Sequence, residues 1–569
     1  MNLLIISEFI KIFFCCFAVS YLTIVYGYFF KVKFIKIKET SIKNFYEIGI
    51  YGVIFLSFVA LLINFFLPLN VIINNLIFFI GVIYSFFLIN HIKRFINASI
   101  VTGIISFFIL ILNSSNNPDG GLYHLPYISI LNENKIIFGL TNIHFRFGHT
   151  SILQYLSAIF NNSLIGENGI LIPIATIFSF VTVYLYKIFL NKKYYLETII
   201  VFLLLSYTLY GLSSYANSGN DYSGHLFFFI TFFIFLNQNY YKKDEDKFKL
   251  TFLFAVYTVL LKPTLVIVFL FPFFSLIKNV RNNFPIIKSG IIIFSVIFLT
   301  IFFLKNLIVS SCLVYPSPKT CISKFEWSSL NSNSISDPKR ANRISEAWAK
   351  DYPNRLEKEK NSEEYISDFG WIKSWLNTHF KIVIIKITPF LLFLVFIFLI
   401  FILSKKKNII FSINKKNIII SFFICFFGSF VWFLKFPIYR YGLSYLITFF
   451  TTIFILLILN KKISYNFKIL KIIVISIIFI VAGNNLKRIY KNFNYKYIDY
   501  PWPKKNSFTE NNEINTNIPI YRDDIFLYYL PDPYSLCMYS KSPCTNEVNV
   551  EKDVKIKKKF TYTIYYKFM

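Results

Sequence analysis

An aspartate that can take a proton, three imidazoles that can pass one on, and an arginine that can hold a phosphate share one stretch of this sequence. It reads NNPDGGLYHLPYISILNENKIIFGLTNIHFRFGHTS, from Asn116 to Ser151, and the side chains are Asp119, His124, His144, Arg146 and His149. A positioned general base is typically worth about 10²–10⁴ in rate, and a guanidinium fork pairs two phosphate oxygens at once. Each residue also has a plainer use. Asp119 can cap a turn, the histidines can be polar residues at an interface, and Arg146 can reach lipid headgroups along its apolar stem. The histidines are spaced by twenty and then five residues, which matches no strong zinc signature. No D-x-D pair occurs in the stretch, so metal dependence does not follow; no cofactor is expected, with a divalent cation as the open alternative.

The local sequence predicts how these groups are held. Pro118-Asp119-Gly120-Gly121 is turn chemistry, with proline fixing φ and the glycines free to adopt positive φ. Leu125 to Asn132 suits a short helix with proline in its first turn. Its apolar face, Leu125, Ile128 and Leu131, would lie along a membrane surface. Ser151 and Gln154 form an S-x-x-Q capping box ahead of ILQYLSAIF. The stretch therefore resolves into an aspartate on a turn, an interfacial helix, a Gly/His/Arg-rich connector and a second interfacial helix.

What surrounds this stretch is almost entirely apolar. The chain is 56% hydrophobic and 15% charged, whereas a soluble domain carries roughly a quarter charged residues. Apolar runs of membrane-spanning length predict an all-α polytopic membrane protein. The expected spans, about fourteen, are 3–30, 44–67, 71–90, 99–113, 167–187, 196–212, 222–237, 249–261, 264–277, 286–304, 381–403, 417–434, 443–459 and 467–483. The first run is too long for a signal peptide's apolar core, so it reads as a retained span. Lys262-Pro263 interrupts one long apolar run and reads as a tight external hairpin.

A net charge of +30 raises the question of nucleic acid, but its distribution answers it. Much of it sits in KVKFIKIK (31–38), HIKR (91–94), NKK (191–193), KKDEDKFK (242–249) and SKKK (404–407). Clusters of this kind between apolar runs mark cytoplasmic loops, and no nucleic-acid partner is expected. Placing them inside sends both termini, the opening loop (114–166), SSYANSGNDYS (213–223), Lys262, the long segment 305–380, KFPIYRYG (435–442) and the tail (484–569) to the outer side. The spans flanking these regions are 1–113, 167–304 and 381–483. Cys312 and Cys321 in the long segment, and Cys537 and Cys544 in the tail, then lie on a face where disulfides form; the alternative is four separate thiols. Trp327, Trp348 and Trp371 can stack on sugar rings or, more plainly, serve as core or interfacial anchors. The tail, with its alternating YTIYYKF near 563–568, reads as a small β-rich appendage stapled by its cysteines. Carriers usually place polar groups at mid-bilayer. These spans are clean, and the chemistry is expected outside.

An external loop bearing an acid at the end of a span, followed by two interfacial helices, resembles the GT-C superfamily of polytopic glycosyltransferases, which use polyprenyl-phosphate-linked sugars. The opening motif, KNLIVSSCLVYP (305–316), WFLKFPIYRYG (432–442) and the tail pattern C-x6-C-T (537–545) also resemble a group of bacterial membrane proteins associated with cell-surface polysaccharide. The resemblance runs from about residue 110 to the end. It implies Asp119 as general base, with His124 second, and places Asn220 and Asp221 in a second polar loop. The external cations Arg146, Lys262, Lys435 and Arg440, with His144, would hold the donor phosphate. Relatives carry an acid within the W-F-L motif, where this chain has Phe436-Pro437-Ile438-Tyr439-Arg440, so a carboxylate role there is not expected. The implied partners are a polyprenyl-phosphate-linked sugar, membrane lipid and a glycan or other external acceptor, at the outer face of the bacterial inner membrane. The competing expectations are an O-antigen-type polymerase, in which external arginines dominate, and a non-enzymatic transporter of lipid-linked oligosaccharide.

Overall fold

The computed structural model describes residues 3–35, 44–113, 119–191, 195–216, 219–238, 245–277, 288–332, 334–403, 415–461, 466–493, 518–522, 525–529, 537–540, 542–545, 547 and 554–567. Pro118, parts of three basic clusters (36–38, 192–193 and 242–244) and all of SKKK (404–407) lie outside the described residues. The protein is a mostly helical polytopic membrane protein. Among the described residues, nine helices are long and apolar enough to cross a bilayer: Ile6–Ile35, Phe45–Asn64, Ile89–Leu110, Glu167–Asn191, Gly290–Ser310, His379–Leu403, Lys415–Lys435, Tyr439–Leu459 and Phe467–Phe493. Shorter apolar helices occupy Val71–Phe86, Leu196–Tyr210, Asp221–Leu236 and Pro263–Ile277. Several boundaries move: the first helix runs on through a π-helical turn to Ile35, into the expected KVKFIKIK loop, and the span expected at 286–304 is the helix Gly290–Ser310. HIKR lies inside the helix Ile89–Leu110 rather than in a loop ahead of it, and the last helix continues to Phe493, past the expected end at 483.

The first two spans cross with their backbones in contact. A Cβ on Gly52 would fall 1.7 Å from the carbonyl oxygen of Thr23, and one on Gly27 would fall 1.9 Å from that of Ile48. Only glycine fits such a crossing, the close approach that van der Waals packing favours where no water drives association. At Lys262 the expected break is present. The helix Glu245–Leu261 stops there on extended backbone, and Pro263 opens a 3₁₀ turn, Pro263–Phe269, that leads into Leu270–Ile277.

The opening loop has its two helices, Leu125–Glu133 with proline in the first turn and Ile152–Ala158 with the Ser151/Gln154 capping box. They are not laid on a surface with one bare face, however. Every residue from Leu125 to Asn132 and from Ile152 to Ala158 is buried. Protein covers the side that the amphipathic pattern assigns to lipid or water. Asn74 reaches in from the helix Val71–Phe86 to the carbonyls of Leu69, Ala158 and Asn161, and the tail covers much of the rest.

That tail is a clasp. Strands β1 (Ile518–Arg522), β2 (Ile525–Tyr529) and β3 (Cys544–Thr545) form one small sheet, and β4 (Val554–Lys559) pairs antiparallel with β5 (Tyr562–Lys567). Phe138 exchanges backbone hydrogen bonds with β5: its N–H donates to Thr563 at 3.0 Å, and Tyr565 N–H donates to its carbonyl at 2.9 Å. Met538 N–H donates to the Gly121 carbonyl, and Glu133 accepts from both the N–H and the hydroxyl of Ser542. Disulfides join Cys537 to Cys544 and Cys312 to Cys321. Within the long segment, Trp371 is fully buried beside Trp375 and Phe433, whereas Trp348 is 56% exposed and anchors nothing in the core.

Candidate functional site

Five charged side chains from five separate segments meet at one place. Asp119 holds two guanidiniums, with Arg146 Nη1 3.0 Å from Oδ1 and Arg440 Nη1 2.8 Å from Oδ2. Asp221 Oδ1 is hydrogen-bonded by the Lys262 ammonium, and Asp221 Oδ2 lies 3.5 Å from Arg440 Nε. Arg440 thus bridges the two carboxylates. Three cations face two carboxylates, leaving one formal positive charge. Aromatic faces line the group: Lys262 lies 4.0 Å from the centroid of Tyr441, and Arg146 lies 5.3 Å from that of Tyr123. Such contacts favour a desolvated cation.

The elements explain the convergence. Asp119 opens the π-helical turn Gly120–His124, nine residues past the end of the helix Ile89–Leu110. The carbonyls at that end are gripped from the last helix. Arg488 donates to the carbonyls of Ile109, Ile111 and Leu112, Asn485 to that of Phe108, and Asn492 to that of Leu112. Asp221 is the first residue of its helix, where the backbone dipole favours a carboxylate. Arg440 lies in the first turn of the helix Tyr439–Lys461, a poor place for a cation, and the two carboxylates offset this. His225, one turn below Asp221, locks the two helices together. Its Nε2–H donates to the Arg440 carbonyl at 2.8 Å, so Nδ1 is left to accept from Ser444 Oγ at 2.8 Å.

The other expected residues divide. Asn220 stays beside the group but braces backbone, donating to the Leu261 carbonyl, as does Ser151 Oγ. His124 packs ring to ring on Tyr123, and its Nδ1 is 3.1 Å from Gln154 Nε2. Gln154 Oε1 takes the Ser151 N–H, so its amide donates to Nδ1 and the proton sits on Nε2. Burial pushes His124 down to about 4, against the raising effect of Asp119 and Asp221. It brings no positive charge at neutral pH. His144 turns away from the cluster and accepts the N–H of Arg146 on Nδ1, with burial holding it at about 3. Lys435 does not join at all. Its ammonium is 3.2 Å from Glu346 of the long segment, with its side chain 59% exposed.

Three residues outside the expected set matter here. His225 is one. Lys305, the first residue of KNLIVSSCLVYP, is fully buried and donates to Thr150 Oγ1 at 2.9 Å. Glu547 in the tail accepts from the Phe145 N–H, beside Arg146, and burial pushes its carboxyl up to about 8. The i, i+4 spacings Asp221–His225 and Arg440–Ser444 were the available signal for the first of these. Nothing local marks Glu547.

The arrangement can bind an anion and hold a proton acceptor next to it. The two arginine side chains are the more open groups, 36% exposed at Arg440 and 29% at Arg146, over carboxylates at 17% and Lys262 at 5%. No curated protein and no solved structure matches the chain. Residues 9–447 match the model of a family described as a domain of unknown function, DUF8201. That span takes in the whole charged cluster and well over half the sequence, and the chain belongs to this family.

Proposed function

We propose that the protein is a membrane glycosyltransferase of the GT-C type. It would move a sugar from a polyprenyl-phosphate-linked donor to an external acceptor in cell-surface polysaccharide assembly, with about fourteen crossings and the cluster at the outer face of the inner membrane. The observation carrying this reading is the convergence of Asp119, Asp221, Arg146, Lys262 and Arg440, arginines outermost. The acceptor hydroxyl attacks the anomeric carbon and gives its proton to Asp119. The bond from that carbon to the phosphate oxygen breaks, and the phosphate keeps the electron pair. Arg440 and Arg146 stabilise the leaving charge, and direct displacement inverts the anomeric centre.

The exposure of the arginines over the carboxylates favours a second reading, an O-antigen-type polymerase that uses the cations and needs no base. Cells carrying Asp119→Asn or Arg440→Gln, with membrane protein level measured alongside, separate the two. The transferase reading expects both to lose surface glycan and accumulate its lipid-linked precursor. Normal glycan with Asp119→Asn and none with Arg440→Gln would leave the polymerase.

A further inference from the structure

As the cluster stands, both oxygens of Asp119 are occupied by guanidiniums, Oδ1 by Arg146 and Oδ2 by Arg440. Arg440 is split between two carboxylates from different segments, through Nη1 to Asp119 and Nε to Asp221. It is also the cation whose departure orphans neither of them. Asp119 would keep Arg146, and Asp221 would keep Lys262. Both arginine side chains are partly exposed.

We propose that Asp119 and Asp221 stand in for phosphate oxygens in a closed resting state, and that a ligand's phosphate group opens the site by taking Arg440 from them. The inference rests on the anion-binding part of the reading above and adds an order of events. The phosphate seats on the exposed arginine side chains, and Arg440 turns from Asp119 Oδ2 before Asp119 meets the acceptor hydroxyl. Base catalysis is thereby tied to donor occupancy. Lys262 is too deeply buried to follow and holds Asp221 in place throughout.

The consequence is counter-intuitive: removing a carboxylate charge should tighten ligand binding. Full-length protein in nanodiscs of neutral lipid is titrated with a short isoprenyl phosphate and, separately, with inorganic pyrophosphate, reading Kd by calorimetry. Asp221→Asn and Asp119→Asn each bind about tenfold tighter than wild type, and Arg440→Gln about tenfold more weakly. The two asparagine variants test the same point, so misfolding of one leaves the other. Tightening with the isoprenyl phosphate alone assigns the site to a lipid headgroup, and tightening with both probes assigns it to the phosphate group itself. If wild type binds but neither asparagine variant binds more tightly, the exchange is overturned and the transferase reading stands. If no form binds either probe, both fall.

Discussion

Lys262→Met tests the cluster where its electrostatics are most exposed to failure. Lys262 is buried, hydrogen-bonded to Asp221 and stacked against Tyr441. Methionine fills nearly the same volume and keeps the contact with the ring, so packing changes little. The charge does change. Asp221 is left with Arg440 Nε at 3.5 Å as its remaining cation. Removing one member of a buried pair costs about 3–5 kcal/mol when the other is stranded. Arg440 and partial exposure offset some of this, so about 2–4 kcal/mol is expected. The double variant Asp221→Asn/Lys262→Met strands nothing, and it should return to within about 1 kcal/mol of wild type, since apolar replacement of a buried pair is often neutral. There is a pH signature as well. Burial pushes Lys262 down to about 8, Asp221 opposing, below the ~10.4 of a free lysine. From about 8 upward the unfolded chain holds a proton that the native protein has lost, so stability rises with pH across that window. The methionine variant lacks this contribution. The assay is thermal unfolding of the detergent-solubilised protein, followed by fluorescence on size exclusion, at several pH values. A double variant as unstable as Lys262→Met would refute the argument, because Lys262 would then act through packing and not through Asp221.

Two further predictions concern what holds the site in place. Glu547→Gln should flatten the pH dependence of tail docking: its carboxyl is at about 8 in the fold against 4.5 free, so wild-type docking weakens as pH rises through that interval, read as protease cutting of the tail. The histidines His124, His144 and His149, at about 4, 3 and 4, act in the opposite sense, since the unfolded chain takes protons first as pH falls below ~6.5. Arg488→Ala removes three hydrogen bonds to the end of the helix Ile89–Leu110. It should cost about 2–3 kcal/mol locally and raise hydrogen exchange at 109–113 with little change in global melting. Unchanged exchange there would show that the last helix does not position Asp119.

Much of the site was legible because charge is costly in a chain this apolar. Asp119, Arg146, Asp221, Lys262 and Arg440 stand at the edges of apolar runs, where each needs a reason, and a partner of opposite sign is the cheapest one. The long apolar segments were legible for the same cause, since periodicity is irrelevant once every face is lipid-compatible or core. Burial of the opening loop was not legible. The pattern Leu125, Ile128, Leu131 specifies one apolar face but not what covers the other, and the cover comes from Ser540, Ser542 and β5, more than four hundred residues away. Glu547 escaped for that reason too.

Lys262 and Lys435 show where such reasoning runs out. Both are lysines at the end of an apolar run, and both were expected at the phosphate. Lys262 sits in a one-residue break between two packed segments, so its ammonium has nowhere to go but inward, onto the acid across the gap. Lys435 is followed by Phe436-Pro437-Ile438 and has the long segment above it. There Trp375 Nε1 donates to the Pro437 carbonyl at 2.7 Å, and Glu346 supplies a counter-charge. The longer linker lets the ammonium swing away while Arg440, fixed by His225 through its own carbonyl, cannot. Which cation reaches a site depends on how little freedom its backbone leaves it, and that is set by partners that the local sequence does not contain.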